Sequence, residues 1–406
     1  MSRSGAVVPA SFPTRILEVL GVLRRHGFLR IRSRPAPEQV RAAFDDLGPV
    51  FQKFGQVLAL RRDLLPDDYV RELEALHDRT RPLPVETVRE VVERELGPLQ
   101  DRFATFDPEP LAAATIAQVH SAHLADGRHV VVKVRRPDLE ATIERDTAIL
   151  RRLARALEWA VPALGPVDLP AVVREFREAL RREADFRLEA SAIRRFRESL
   201  SDVPRVWIPG VVDELSTAAV LTMEHSPGLR IDRYAAENPD EAPELARAVG
   251  ALVLRQIFEN GLFHADPHPG NLFVLPDGRL CLHDFGMTGE LDERLRTGLG
   301  DLLAAEVRGD AEAAADAYLR VGLPGGDTDR NALVREFDRL LATMHARPLS
   351  EISLGDELQK LLRVGGRNRL RNPRELLLLA RALLIAEALL RRLDPDVNVI
   401  DVFREQ

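Results

Sequence analysis

The sequence predicts an α+β fold in which a helical segment precedes a small sheet and a largely helical part follows it. Apolar residues recur at helical spacing from Pro37 to about Arg81, before any strand signal. Strand-forming residues first dominate between about Phe103 and Val134, where Asp126-Gly127 marks a tight turn ahead of an apolar run. Because the patterns that follow are mostly helical, the sheet should be small.

The order of these elements divides the chain into three predicted parts. A helical N-terminal extension covers residues 1–100, a lobe that contains the sheet covers residues 101–225, and a mostly helical lobe covers residues 226–406. In the middle part the spacing predicts one long helix from about Pro170 to Leu200. In the last part a helix should end at Asn260-Gly261, a pair that favours a left-handed helix end.

Composition indicates a globular chain without a bias toward nucleic acid. The 406 residues are 45% hydrophobic, enough for two or three domains with cores of their own. The formal net charge of −7 provides no basic surface for DNA or RNA, so nucleic acid is not an expected partner. Cys281 is the only cysteine, which excludes an intrachain disulfide and fits a reducing compartment. We expect it to be a buried strand residue.

No segment has the pattern of a signal peptide or of a membrane span. The apolar stretch around Ile16 to Leu23 contains Glu18, and no small-residue cleavage site follows it. The strongest apolar window, Leu376 to Leu390, carries Arg381 and Glu387 and is shorter than the roughly 20 residues of a spanning helix. We therefore expect a core helix there, and a cytoplasmic protein without a transmembrane segment.

One stretch near the middle of the chain carries the clearest chemical signal. Residues His264 to Asn271 read H-A-D-P-H-P-G-N, and the triplet Asp284 to Gly286, D-F-G, begins thirteen residues later. In protein kinases this spacing belongs to an aspartate that orients the attacking hydroxyl, and to an asparagine and a second aspartate that hold Mg²⁺ with ATP. It predicts Asp266 as the catalytic aspartate, with Asn271 and Asp284 as metal ligands. The fold should be a bilobal protein-kinase-like fold with a helical N-terminal extension.

Lys133 is the candidate for the phosphate-binding lysine of such a site. It ends the predicted apolar strand, from which a lysine side chain would neutralise phosphate oxygens; a surface lysine is the alternative. This lysine needs a carboxylate partner from a helix. Glu183 is the preferred partner and joins the catalytic set, because it interrupts the apolar stripe of the helix predicted from Pro170. Asp185 and Glu189 are the alternatives.

A loop without glycine lies where a kinase has its glycine-rich phosphate loop. It consists of Ala112, Ala113, Ala114 and Thr115, which are candidate nucleotide contacts. Alanine restricts the backbone more than glycine, so nucleotide handling should differ from that of ordinary protein kinases. A buried β-turn is the alternative interpretation. Glu224, at the end of the next strand region, is a further expected nucleotide contact.

The histidines near Asp266 permit a second interpretation. His264, His268 and His283 suggest a metal cluster of the zinc-hydrolase kind. Their spacing fits such a cluster poorly, whereas the D-x-x-x-x-N and D-F-G set fits without adjustment. We therefore expect His264 to be structural and to tie the loop to the backbone.

Several motifs, in this order, resemble those of the UbiB family (AarF/ADCK) of atypical, protein-kinase-like proteins, which includes the mitochondrial coenzyme Q assembly kinases. The residues that carry the resemblance are Lys53-Phe-Gly-Gln56, Arg62-Asp63-Leu-Leu-Pro66, the loop from Ala112 to Val119, Lys133, Glu183-Ala-Asp185, and the two segments around Asp266 and Asp284. The lysine and glutamine of the first motif are peculiar to that family.

The resemblance implies a kinase-like fold whose N-terminal extension folds over the active site. Lys53 and Gln56 would then project toward the nucleotide, into space that a protein substrate would need. No A-P-E triplet follows Asp284, so phosphorylation of proteins in trans is not expected. The resemblance also implies ATP and Mg²⁺ as cofactors, with Lys133 on the phosphates and Glu183 paired with it.

The expected function is an ATP-binding, Mg-dependent kinase or ATPase of the UbiB type that supports ubiquinone or other isoprenoid-lipid metabolism. A nucleotide-binding regulatory pseudokinase and a small-molecule phosphotransferase of the aminoglycoside-kinase type are the alternatives. Intact Asp266 and Asp284 favour the first, and the Lys53 motif argues against the last. Expected partners are a small-molecule or lipid acceptor, biosynthetic enzymes, and a membrane surface. The amphipathic segment Arg15 to Arg34 would contact that surface, unless it serves helix packing.

Overall fold

The computed structural model describes residues 12–28, 35–59, 65–76, 82–160, 168–324, 328–346 and 352–397. It combines many helices with small sheets, which confirms the predicted fold class. The chain divides into two compact units: unit 1 comprises Met1–Ala190 and Val211–His225, and unit 2 comprises Ser191–Gly210 and Ser226–Gln406. The three-part division into residues 1–100, 101–225 and 226–406 stays a prediction.

Helices precede the sheet of unit 1, as the sequence predicts. They are α1 (Phe12–Arg25), α2 (Pro37–Leu47), α3 (Pro49–Ala59), α4 (Asp67–Glu74), α5 (Val85–Leu96) and the short α6 (Leu99–Arg102). Helix α1 buries Val19, Val22 and Leu23, so one face of it serves packing. Leu17 and Leu20 of the same helix remain exposed.

The sheet of unit 1 has four antiparallel strands in the order β1-β2-β3-β5. The strands are β1 (Thr105–Ala113), β2 (Ala117–His123), β3 (His129–Arg135) and β5 (Val220–Glu224). The predicted turn at Asp126-Gly127 joins β2 to β3, and Gly127 has a φ of +86°, which glycine adopts without steric cost. Alternate valines of β3 pack into one core with Val88 and Val92 of α5.

The described residues between β3 and the next strand form three helices. They are α7 (Leu139–Ala160), α8 (Leu169–Glu183) and α9 (Phe186–Ser199), which runs from unit 1 into unit 2. The prediction of one continuous helix from Pro170 to Leu200 is wrong, because α8 ends at Glu183. At the break the backbone N–H of Phe186 donates to Ala218 O at 3.1 Å, and Asp185 Oδ1 accepts from the N–H of Arg187 at 3.1 Å. An aspartate thus restarts the helix.

The described part of unit 2 contains a second four-stranded sheet and two short strand pairs. The sheet has the order β4-β9-β8-β6, with β4 (Val206–Trp207), β6 (Leu229–Arg230), β8 (Leu272–Val274) and β9 (Leu280–Leu282). The pairs are β7 (Leu262–His264) with β10 (Thr288–Glu290), and β11 (Leu323–Pro324) with β12 (Leu370–Arg371). Cys281 is fully buried in β9, as predicted, and burial raises the pKa of its thiol to about 12.

Most of unit 2 is helical. Its helices are α10 (Ile231–Glu237), α11 (Ala242–Leu254), α12 (Glu293–Arg308), α13 (Ala311–Val321), α14 (Arg330–His345), α15 (Leu354–Arg367) and α16 (Arg374–Leu393). Helix α11 continues into a π-helical turn that ends at Gly261 with a φ of +65°. This confirms the predicted left-handed helix end, which delivers the chain into β7.

Helix α16 contains the apolar window for which a core helix was predicted, and most of its apolar side chains are buried. Among the described residues, no helix combines the length and the apolar character needed to cross a membrane. The buried carboxylate of Glu387 fastens α16 to the start of α15. It accepts hydrogen bonds from Leu354 N at 2.6 Å, from Gly355 N at 3.2 Å and from Ser353 Oγ. Helix α16 is therefore fixed along its length in unit 2.

Candidate active site

The predicted catalytic loop begins where β7 ends. His264, the last residue of β7, is buried, and burial lowers the pKa of its imidazole, so the ring is neutral. Its Nδ1 accepts from the N–H of Asp266 at 3.1 Å, and its Nε2 donates to His283 O at 3.0 Å. These bonds confirm the structural role predicted for His264, because they tie the loop to the backbone just ahead of Asp284.

Neighbouring side chains approach the two carboxylate oxygens of Asp266 to different distances. Oδ1 is 3.1 Å from Nη2 of Arg381 on α16, whereas Oδ2 is 3.9 Å from Nε2 of His268. His268 Nδ1 accepts from the N–H of Gly270 at 2.9 Å, so Nε2 is the ring nitrogen left to donate. Asn271 Nδ2 donates to the backbone O of Asp266 at 3.1 Å. The loop backbone is thus held from both sides of Asp266.

The β8–β9 hairpin brings Asn271 and Asp284 to the same end of its two strands. Leu272 is paired with Leu282, and the backbone N–H of His283 donates to Asn271 O at 2.9 Å. Asp284 follows with a φ of +55°, a left-handed conformation that aspartate tolerates better than most residues. The two predicted metal ligands therefore leave neighbouring strands at adjacent positions.

Phe285 anchors the D-F-G triplet in the interior of unit 2. It is buried, and its ring centroid is 5.0 Å from that of Phe196 on α9 and 5.5 Å from that of His264. Aromatic rings at such distances gain about 0.5–1.5 kcal/mol beyond their burial. The same histidine thus contacts the Asp266 loop and the D-F-G triplet, which couples the two segments mechanically.

The oxygen donors of this hairpin end fit Mg²⁺. Because Asn271 uses its Nδ2 to hold the Asp266 backbone, its Oδ1 is the atom left to bind a cation, and Asp284 supplies a carboxylate. Mg²⁺ is usually bound by one or two such groups together with phosphate oxygens and water. Within the residues that the structure describes, no group of three or more His, Cys, Asp or Glu side chains is placed to hold a metal ion. The donor set therefore suits a metal that arrives with phosphates.

In unit 1, Lys133 is paired with Glu189, not with Glu183. Its Nζ lies 2.8 Å from both carboxylate oxygens of Glu189, and 5.4 Å from the centre of the Phe186 ring. The prediction of Glu183 is wrong because the helix break at Ala184 ends the stripe to which it was assigned. Glu189, one of the alternatives, lies on the face of α9 that contacts β3, with 5% of its side chain exposed. A carboxylate buried this deeply needs a partner charge.

Glu183 pairs instead with Lys53 of the N-terminal extension, with Nζ 2.9 Å from Oε1. Lys53 and Gln56 lie one turn apart on α3, and Gln56 Nε2 donates to Leu76 O at 3.2 Å. Gly55, between them, leaves no room for a side chain, because an added Cβ would overlap Leu76 and a ring of α2. The glycine lets α3 pack closely on its neighbours, and this packing sets where Lys53 is presented.

The loop without glycine is the tight turn between β1 and β2. Ala112 and Ala113 still belong to β1, and Ala114 N–H donates to Ala117 O at 2.8 Å. Thr115, at the tip, is buried. Of the four residues only Thr115 is buried, whereas Ala112 is exposed, and their contact with a nucleotide stays a prediction.

Glu224 is the last residue of β5 and is paired in register with Val130, and its contact with a nucleotide stays a prediction. Arg62 and Asp63 of the motif after Gln56 lie outside the described residues.

Glu189 and Arg381 hold positions at the site that the apolar pattern of the sequence does not single out. A signal for Glu189 exists, because Asp185 is a favourable helix N-cap and marks a new helix whose stripe must be read separately. For Arg381 the signal is weaker: it is a charged residue inside the strongest apolar window, and its position beside Asp266 depends on how α16 packs.

Comparisons with family models and with known proteins find similarity over most of the chain. The model of the ABC1 atypical kinase-like domain matches residues 75–318, and that of the UbiB helical domain matches residues 337–398. A protein of Xanthomonas campestris pv. campestris (strain B100), named probable protein kinase UbiB, is 37% identical over 385 residues, which cover 90% of this chain and 68% of the relative. An uncharacterized protein in the hydrogenase 1 5' region of Clostridium pasteurianum is 31% identical over 398 residues, which cover 96% and 74%.

A solved structure is similar to this chain in its fold as well. The Mycobacterium tuberculosis protein Rv3197, in complex with erythromycin, matches with a TM-score of 0.58 at 25% identity, over 86% of this chain and 90% of that one. Together with the two domain matches and the similarity to the Xanthomonas protein over most of the chain, these findings establish that the chain belongs to the UbiB family of ABC1 atypical kinase-like proteins.

Proposed function

We propose that this chain binds ATP with Mg²⁺ and is an atypical kinase or ATPase of the UbiB type that supports ubiquinone or other isoprenoid-lipid metabolism. The main support is the arrangement in unit 2, where the loop of Asp266 and Asn271 is joined by hydrogen bonds to the segment that leads into Asp284. The name of the Xanthomonas relative supports the kinase class.

Each residue has a distinct proposed role. Asp266 would orient the attacking oxygen of an acceptor hydroxyl or of water. As the new bond from that oxygen to the γ-phosphorus forms, the bond to the leaving oxygen of ADP breaks, and the proton of the attacking oxygen passes to Asp266 or to solvent. Lys133, held by Glu189, would neutralise phosphate oxygens. Bound through Asn271 and Asp284, Mg²⁺ would add positive charge at the phosphates.

The alternative is a pseudokinase that binds nucleotide without turnover and regulates an assembly of biosynthetic enzymes. The presence of both aspartates and of the asparagine favours an enzyme, because binding alone does not need an aspartate to orient a nucleophile. A small-molecule phosphotransferase is less well supported, since the Lys53–Glu183 pair has no role in that chemistry.

Formation of ADP from Mg-ATP decides between turnover and binding alone, because both hydrolysis and phosphoryl transfer to an acceptor produce ADP. The wild type and Asp284→Asn are compared with and without anionic liposomes that carry a quinone-like lipid. Because erythromycin is bound in the Mycobacterium tuberculosis structure, a macrolide is added in a separate arm. Turnover that requires Asp284 supports an enzyme, and stimulation by the liposomes supports work on a membrane lipid. Bound ATP with no ADP formation above that of the variant favours the pseudokinase.

Asp277→Asn is the matched control. It removes a carboxylate from the turn of the same β8–β9 hairpin, where Asp277 is exposed and paired with Arg279 at 2.7 Å. This variant should retain wild-type turnover. Equal losses in both variants would indicate damage to the hairpin and not the loss of a metal ligand.

A peripheral membrane contact through α1 completes the proposal. Leu17 is 71% exposed and Leu20 is 40% exposed, and Arg24 and Arg25 occupy the last turn of the helix. Apolar side chains next to basic ones suit an anionic membrane surface. The double variant Leu17→Glu and Leu20→Glu should sediment less with anionic vesicles than the wild type, whereas Val307→Glu, at an exposed site on α12, should not. Equal sedimentation of all three proteins would refute this contact.

A further inference from the structure

We propose that Arg381 is a positioning residue for Asp266: its guanidinium fixes Oδ1 of the carboxylate, so that Oδ2 is the oxygen presented to the attacking group. This inference rests on the proposed function, because it assigns a second residue to the same reaction. Its basis is the contact of 3.1 Å between Nη2 of Arg381 and Oδ1 of Asp266.

The backbone of the loop alone does not determine where the carboxylate points. The N–H of Asp266 binds His264 and its carbonyl accepts from Asn271, so the main chain is fixed while the side-chain torsions remain. A carboxylate that must orient a nucleophile loses efficiency when it rotates, and a misplacement of about 1 Å can cost about 100-fold in rate. Some group outside the loop has to hold the side chain.

Arg381 is suited to that task because its own helix is held firmly. Glu387, six residues further along α16, accepts three hydrogen bonds from the start of α15. Helix α16 also packs on β10, and β10 is paired with β7, the strand that leads into Asp266. The guanidinium and the carboxylate are thus connected through one rigid part of unit 2. Arginine is also rigid in its planar group, which retains a direction that a lysine would not.

The second carboxylate oxygen is engaged less. The contact of Oδ2 with His268 is 3.9 Å long, beyond a hydrogen bond, and the His268 side chain is 46% exposed. An attacking hydroxyl or water therefore meets Oδ2 with little competition. Phosphoryl transfer asks the aspartate mainly to orient the nucleophile, so the ion pair at Oδ1 is compatible with catalysis.

One competing role fits the same geometry, in which the ion pair between Arg381 and Asp266 inhibits turnover. If the ion pair kept Asp266 from its acceptor, removing Arg381 would raise turnover. If it positions Asp266, removing Arg381 lowers kcat, while the KM for Mg-ATP, which reflects nucleotide binding elsewhere in the site, stays constant. The direction of the change in kcat separates the two roles.

The experiment measures kcat and KM for Mg-ATP in the full-length chain. The variants are Arg381→Gln, Arg381→Lys, Asp266→Asn and the double variant Asp266→Asn with Arg381→Gln. Arg392→Gln is the control, because Arg392 lies on the same helix and pairs with another aspartate, Asp232, at 3.4 Å. Thermal unfolding of each variant identifies any that fail to fold.

Arg381→Gln should lower kcat about 10- to 100-fold with KM within about twofold, and Arg381→Lys should recover part of the loss. In the Asp266→Asn background the same substitution should have less than about a twofold effect, since a residue that acts through Asp266 has nothing left to position. Arg392→Gln should match the wild type.

Three results overturn the proposal: unchanged kcat in Arg381→Gln, raised kcat, or the same loss in both backgrounds. A raised kcat would establish that the ion pair inhibits turnover. If the wild type shows no turnover that requires Asp284, the proposed function and the positioning role are both overturned. If the positioning role alone fails, the wild type is active and Arg381→Gln has the same kcat as the wild type.

Discussion

Glu306 should make unit 2 less stable as the pH rises toward 8. It lies on α12 with 6% of its surface exposed, and burial, helped by the charge of Glu357 on α15, raises its pKa from an ordinary 4.5 to about 7. Lys360 Nζ is 2.7 Å from Glu357, and His345 Nε2 donates to the backbone O of Glu306 at 2.9 Å. Neither contact supplies a cation to the Glu306 carboxylate.

The sign and the size follow from that pKa. Because the pKa is raised in the folded chain, the folded state holds the proton more tightly, and the resulting stability is present below pH 4.5 and is lost as the pH rises through 7. The difference between 4.5 and about 7, at about 1.36 kcal/mol per pH unit, amounts to about 3 kcal/mol. Glu306→Gln replaces the carboxyl by a neutral group of the same shape, so it should remove most of this dependence.

Urea unfolding at pH 5.5, 7.0 and 8.5 measures the effect. The chain has two tryptophans, Trp159 in unit 1 and Trp207 in unit 2. In a Trp159→Phe background, tryptophan fluorescence therefore reports unit 2, and Trp159 is 88% exposed, so its replacement should cost little. Between pH 5.5 and 8.5 the free energy of unfolding of this background should fall by about 2–3 kcal/mol more than that of the same protein with Glu306→Gln.

Glu293→Gln, at an exposed position at the start of the same helix, is the control and should follow the parent protein at every pH. A difference between Glu306→Gln and the parent that stays constant from pH 5.5 to 8.5 would contradict the raised pKa of Glu306. It would mean that the Glu306 carboxyl is ionised equally easily in the folded and unfolded chains.

Three further outcomes are expected. Gly55→Ala should cost about 1–3 kcal/mol, because the added methyl overlaps Leu76; urea unfolding of unit 1 tests this, and a cost near zero would contradict the close packing. Glu189→Gln should lower turnover of Mg-ATP at least about 10-fold, and Glu183→Gln should lower it less; the reverse order would support the pairing first predicted. Burial lowers the pKa of His225, aided by neighbouring histidines, so stability present above pH 6.5 should be lost as the pH falls. The melting temperature of His225→Phe should therefore drop less between pH 7.5 and 5.5 than that of the wild type, and equal drops would contradict this.

Most features predicted correctly are fixed by nearby residues. The hairpin around Gly127 and the helix end at Gly261 each depend on a few neighbours along the chain, whereas the backbone role of His264 depends on Asp266 beside it and on His283, 19 positions away. Spacing alone also predicted that Asn271 and Asp284 would come together, because a short hairpin separates them.

The features missed depend on contacts between distant segments. Glu183 lost its predicted partner because the N–H of Phe186 binds Ala218, a residue more than thirty positions away, and thereby interrupts the helix. Periodicity cannot report such a bond, and a stripe that spans the break assigns residues to the wrong face. The contact of Arg381 with Asp266 is still less local, since it requires the packing of α16 on the strands of unit 2.

Two carboxylates of the kinase-like segment have their cationic partners outside that segment. Residues 75–318 include the carboxylates of Glu183 and Asp266, yet Lys53 precedes that segment and Arg381 follows it. A shortened chain cut at those limits would keep every recognisable motif of phosphoryl transfer and lose a cationic partner from each of two carboxylates. For this protein, the smallest piece worth expressing is therefore set by its ion pairs, and it extends beyond the recognisable domain at both ends.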